Sequence, residues 1–217
     1  MSRTLSHPPA IPLDDIQHFV LEDASWELYE KLLRDIGDRP IRVTYDEGRM
    51  EIMSPLPEHE RPKKLLGQMI EALTFELDMP RASLGSTTFR RREKAKGLEP
   101  DECYYFRDEQ KMRGKNRLDL KKDPPPELVV EIDIASRSVP REPIYAALRV
   151  PEIWRYRPRR VDCLHLIDGE YHVRKMSLAF PFLEPALLQR FIEKAAVDGE
   201  TAMLRQFVAW VRKNGWA

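Results

Sequence analysis

The run Leu128-Val129-Val130-Glu131-Ile132-Asp133-Ile134 constrains this chain more than any other segment. A stretch almost without polar alternation suits a strand covered on both faces, as in the centre of a sheet packed by helices. Two of its residues are nevertheless acids. Glu131 and Asp133 stand two apart, so on a strand both side chains leave the same face. Burying carboxylates there is costly unless a counter-charge or a cation compensates them.

The segments around this run alternate between helical and strand patterns. Ser25 is placed to cap a helix reaching Ile36, with Trp26, Tyr29, Leu32, Leu33 and Ile36 on its apolar side and Gly37 as its stop. Asp46-Glu47-Gly48 supplies the turn between two strands, the second spanning 49–53. Leu66, Ile70, Leu73 and Leu77 predict a helix over 62–78, begun near Pro62 and ended by Pro80. Strands are expected over 86–91, 101–106 and 127–134, followed by a helix over 143–150 and a strand over 152–157. A hairpin turning on Asp168-Gly169 comes next, then helices near 185–195 and 200–213. This order predicts an α/β (α+β) class domain: a mixed β-sheet core flanked by helices.

Proline is frequent, 18 among 217 residues, and clusters at 8–12, 55–57 and 124–126, where it punctuates segments without marking a repeat. Residues 1–20 read as a flexible N-terminal arm and 21–217 as a single domain ending in helices. Lys plus Arg equals Asp plus Glu at 36 each, so non-specific coating of nucleic acid through overall charge is excluded, while local basic patches are not. No membrane span or signal peptide is expected, and Cys103 and Cys163 read as buried thiols of a cytoplasmic chain.

Asp101 follows Pro100 at the expected start of a strand, with Glu102 beside it. If that strand pairs with the one bearing Glu131, then Asp101, Glu131 and Asp133 converge, an arrangement suited to Mg²⁺ or Mn²⁺. The competing reading pairs Glu131 and Asp133 with Arg137, Arg141 or Arg155 in a structural ion network. Neither spacing nor composition decides between the two. No Ser-His-Asp elbow, phosphate-binding glycine loop or zinc-spaced Cys/His set appears.

Three segments taken together, GLEPDECYYF, PPPELVVEIDIASRS and PIYAALRVPEIWRY, resemble the Uma-type branch of the PD-(D/E)XK nuclease superfamily. The segments SPLPEHE at 54–60 and SLAFPFLEP at 177–185 resemble its flanks. The resemblance implies a restriction-endonuclease-like core, an endonuclease that hydrolyses DNA phosphodiesters with Mg²⁺ (or Mn²⁺), and Asp101 and Glu131 as metal-binding acids. His59 and Glu60 occupy a place where relatives carry a His or an acid near the metal. The superfamily's lysine is absent, since position 133 holds Asp; its migrated counterpart is Arg141, preceded by Pro140. Arginine stabilises phosphate charge but stays protonated, so it does not deprotonate water. Lys94 and Lys96 are alternative sources of an amine. The alternative function is a degenerate nuclease-fold protein that binds DNA or a protein partner, and the sequence leaves a homodimer open.

Among the basic runs, Arg90, Arg91, Arg92, Lys94 and Lys96 precede Asp101 most closely. They are the expected DNA-backbone contacts, able to position DNA without reading its sequence.

Overall fold

A computed structural model describes residues 18–54, 57–115, 117–134 and 138–215. Among the described residues, eleven strands and six helices follow one another in the order β1 (His18–Leu21), α1 (Trp26–Ile36), β2 (Arg42–Asp46), β3 (Arg49–Met53), α2 (Pro57–Glu76), β4 (Ala82–Ser83), β5 (Phe89–Arg91), β6 (Lys96–Leu98), β7 (Glu102–Tyr105), α3 (Glu109–Met112), β8 (Leu128–Ile132), α4 (Glu142–Leu148), β9 (Glu152–Arg157), β10 (Arg160–Ile167), β11 (Glu170–Arg174), α5 (Ala186–Asp198) and α6 (Glu200–Asn214). No helix among the described residues is long and apolar enough to cross a membrane.

The α+β fold expected from the sequence is present, but it is built on two sheets where the sequence suggested one. The first is antiparallel, with the order β1-β3-β2-β6-β5. The second is mixed, with the order β11-β10-β9-β8-β7-β4, and β8 pairs in parallel with β9. The chain passes from one sheet to the other through Glu99-Pro100-Asp101, the short stretch between β6 and β7. Pro100 has no N–H to add to either ladder, which suits it to the crossing.

The two faces of the mixed sheet meet different partners. On one, Leu65, Leu66, Met69, Ile70 and Leu73 of α2 join Phe191 of α5 and Phe207 of α6 over Tyr104, Leu128, Val130, Ile132 and Trp154. On the other, Cys103, Val129, Ile153 and Leu164 pack against Ile144, Tyr145 and Leu148 of α4 and against Phe89 and Leu98 of the first sheet. The five residues of β8 are all buried, as the apolar run predicted.

Several boundaries differ from the sequence expectation. α2 starts at Pro57, and Pro62 lies inside it. Pro57 suits a first helical position, whereas Pro62 forfeits an intrahelical bond while its ring is buried. β5 occupies only Phe89–Arg91 of the stretch 86–91, and β7 starts at Glu102, one residue after Asp101. β1 pairs with β3 from His18, so this strand includes the last residues of the stretch 1–20 read as an arm. The terminal helices and the hairpin closing at Asp168-Gly169 lie where the sequence put them.

Candidate functional site

Asp101 stands where the two sheets meet. In the antiparallel pairing of β7 with β8, Glu102 opposes Val130 and Cys103 opposes Val129. One step further along this register brings Asp101 level with Glu131. Both carboxylates are buried, at 1% and 3% exposure, and the strand alternation puts them on the face that carries Cys103 and Val129.

Each acid is held by an arginine. Asp101 Oδ1 accepts a hydrogen bond from Arg42 Nη1, an ion pair that links β2 of the first sheet to the second. Its Oδ2 accepts the backbone N–H of Ile132 at 2.7 Å. The two oxygens of Glu131 both lie 2.7 Å from Arg141 Nη1, which also donates to the carbonyl of Glu99 at 2.9 Å. Tyr145 Oη also donates to Glu131 Oε1. Burial and the neighbouring Glu131 carboxylate push the Tyr145 hydroxyl well up, so it remains a donor. Burial works against the charge of Arg141, but Glu131, Tyr145 and Asp101 together more than offset it and hold the guanidinium cationic.

Asp101 and Glu131 are brought level by the register, while Asp133 lies just past β8. Among the described residues, neither Asp101 nor Glu131 takes part in any set of three His, Cys, Asp or Glu ligand atoms within 4.8 Å of one another. Asp133 donates its N–H to Tyr156 O at 2.8 Å and lines the same cavity as Glu131. An ion bound by Asp101 and Glu131 would have to displace the Arg42 and Arg141 donors that hold them here.

α2 places the remaining candidates. His59 is buried at 5% exposure, whereas Glu60 is exposed and lines a groove of about 590 Å³ with Arg42, Lys63 and Glu99. Lys63 Nζ stands 3.9 Å from both Glu60 Oε2 and Glu102 Oε1. Burial raises the carboxyls of Glu99 and Glu102 above the usual range. Arg42, Glu99 and Lys63 were not singled out in the sequence, because nothing in a single strand or helix tells which partner a charged residue will meet. Arg137 lies outside the described residues.

A cavity of about 440 Å³ opens beside the acids, lined by Glu131, Asp133, Arg141, Glu142, Arg155 and Arg157 over a floor that includes Val139, Ile153 and Leu164. Arg141 Nε and Nη2 and Arg155 Nε are buried with no hydrogen-bond partner among the described residues. Arg155 also pairs with Glu142, and Arg157 with Asp162.

The basic run before Asp101 lies on β5, the turn after it and β6 of the first sheet. Arg90 and Arg91 belong to β5, and Arg92 and Lys94 to the short turn that follows. Arg92 pairs with Glu27 and Glu30, and Lys96 with Asp46 and Glu47. Arg90 and Lys94 are exposed.

A family model described as "Uma2: Putative restriction endonuclease" matches residues 26–196. Among solved structures, "a putative nuclease belonging to DUF820 from Anabaena variabilis" is similar to this chain, with 11% sequence identity and a TM-score of 0.43, over 75% of this chain and 90% of that one. No curated protein matches.

Proposed function

The chain belongs to the Uma2 family of restriction-endonuclease-like proteins, and from that premise we propose that it grips DNA phosphodiesters through the Arg141–Arg155 cavity without efficient metal-dependent cleavage. The observation that carries this reading is the lock on the acids: Arg42 holds Asp101 and Arg141 holds Glu131. A guanidinium fork matches phosphate oxygens in planar, bidentate geometry. Arg141 keeps Nη1 on Glu131, and Arg141 and Arg155 both line the cavity. Arg90, Arg91 and Lys94 would add backbone contacts from the edge of the first sheet. The chemistry of this chain's own residues is then recognition and orientation of a phosphodiester.

A second reading is supported by the register that brings Asp101 level with Glu131. On that reading the protein is a Mg²⁺- or Mn²⁺-dependent endonuclease, with Asp101 and Glu131 holding the ion once the arginines withdraw. The ion would supply an activated water and neutralise phosphate charge. A supercoiled-plasmid assay across Mg²⁺ and Mn²⁺ separates the two. The first reading predicts DNA retention in chelator, weakened by Arg155→Gln, with no nicking. Metal-dependent nicking abolished by Asp101→Ala would establish the second reading instead.

A further inference from the structure

On the opposite face of the mixed sheet from the acids, β9 and β10 bring together a second set of donors, and we propose that Glu152, Cys163 and His165 form a Zn²⁺ site. Glu152 and His165 are directly opposed across the β9–β10 ladder, and Cys163, two residues before His165, leaves the same face. The three ligand atoms all lie within 4.8 Å of one another. The Cys163 Sγ stands 3.1 Å from Glu152 Oε1 and 3.3 Å from His165 Nε2. Zinc bonds of about 2.3 Å to sulfur and about 2.0–2.2 Å to nitrogen and oxygen put tetrahedral neighbours about 3.4–3.6 Å apart. The observed spacings are within a few tenths of an ångström of that requirement.

The donor set also suits the ion. A thiolate, an imidazole and a carboxylate favour zinc over magnesium or calcium, and three protein ligands leave one position open. Glu152 is held in place by the layer that supports metal ligands elsewhere. Trp154 Nε1 donates to its Oε1 at 2.7 Å, and the N–H groups of Leu178 and Ala179 donate to its Oε2 at 3.1 and 2.9 Å. Glu152 and Cys163 are buried and His165 is half-buried, giving a protected site with one accessible ligand. The Met176 carbonyl, 3.5 Å from the sulfur, lies at the same spot. An ion here would fasten the segment after β11 to the sheet and so fix the start of the C-terminal helices.

Titration of the intact protein with Co²⁺, a spectroscopic substitute for zinc, tests the assignment. The expected result is one equivalent bound with a thiolate-to-cobalt charge-transfer band, displaced by added Zn²⁺. Cys163→Ser should abolish the band and Cys103→Ser should leave it. His165→Gln, at a half-buried position that folding tolerates more easily, should weaken binding while the band persists at saturating Co²⁺. A spectrum without thiolate character in the wild type, or a band that survives Cys163→Ser, would overturn the proposal.

Discussion

Glu131 accepts hydrogen bonds from Arg141 and Tyr145, and that arrangement makes its surroundings sensitive to single changes. Removing one partner of a buried ion pair costs about 3–5 kcal/mol, because the other charge is left uncompensated. Arg141→Met should therefore destabilise the fold by an amount in that range, read by urea denaturation. Adding Glu131→Gln should recover much of the loss, since it removes the charge that Arg141 compensated. Equal losses in the single and double variants would show that Arg141 contributes packing alone. Glu99 gives a pH-dependent counterpart. Burial raises its carboxyl, opposed by its bond to Thr88 and by Arg42 and Arg141. An acid raised in the folded state favours folding fully below its unfolded value, about 4.3, and that advantage is lost as pH rises through the folded value. Glu99→Gln should match wild type in thermal melts near pH 4 and exceed it progressively toward neutral pH. A difference independent of pH would contradict this assignment. The pairing of these residues was only half legible beforehand: Glu131 with Arg141 was one of the two readings, whereas Arg42, about sixty positions before Asp101, carried no local signal.

Elements were most legible where apolar periodicity was strong. β8, α1, the β10–β11 hairpin and the terminal helices follow directly from the spacing of their buried residues. β6 was missed because Lys-Gly-Leu has little strand character by itself; it is strand through its partners β2 and β5. Its glycine has a steric reason. A Cβ at Gly97 would lie 2.3 Å from the Tyr29 hydroxyl oxygen, so α1 and the first sheet approach here as only glycine allows. Overpacking of this kind costs about 1–3 kcal/mol, and Gly97→Ala should lower the denaturation midpoint accordingly. The Tyr29 hydroxyl is buried without a hydrogen-bond partner among the described residues, so Tyr29→Phe should be neutral or stabilising and should soften the effect of Gly97→Ala in the double variant. Strict additivity of the two changes would mean that the glycine serves some other contact. The reading of a helix begun near Pro62 failed for a similar reason, since burial of its ring against the core outweighs the forfeited bond.

At the scale of the whole molecule, the crossing at Glu99-Pro100-Asp101 ties two sheets together, and the candidate site is built at that seam. Sequence patterns reported a mixed sheet with helices and the two acids, but they held no information on a second sheet. Strands of both sheets alternate in similar ways, and only pairing distinguishes them. The pairing is what brings Arg42 onto Asp101 and Arg141 onto Glu131 beside the cavity. On the proposed reading these arginines make the site a receptor for phosphodiesters without efficient metal-dependent cleavage. Fluorescence anisotropy of a labelled DNA duplex, titrated with wild-type protein and Arg155→Gln in chelator and again in Mn²⁺, tests it most directly. The account predicts binding by the wild type of equal strength in both buffers, with an intact duplex at the end and weaker binding by the variant. Binding that appears only with Mn²⁺ and ends in a cleaved duplex would contradict it.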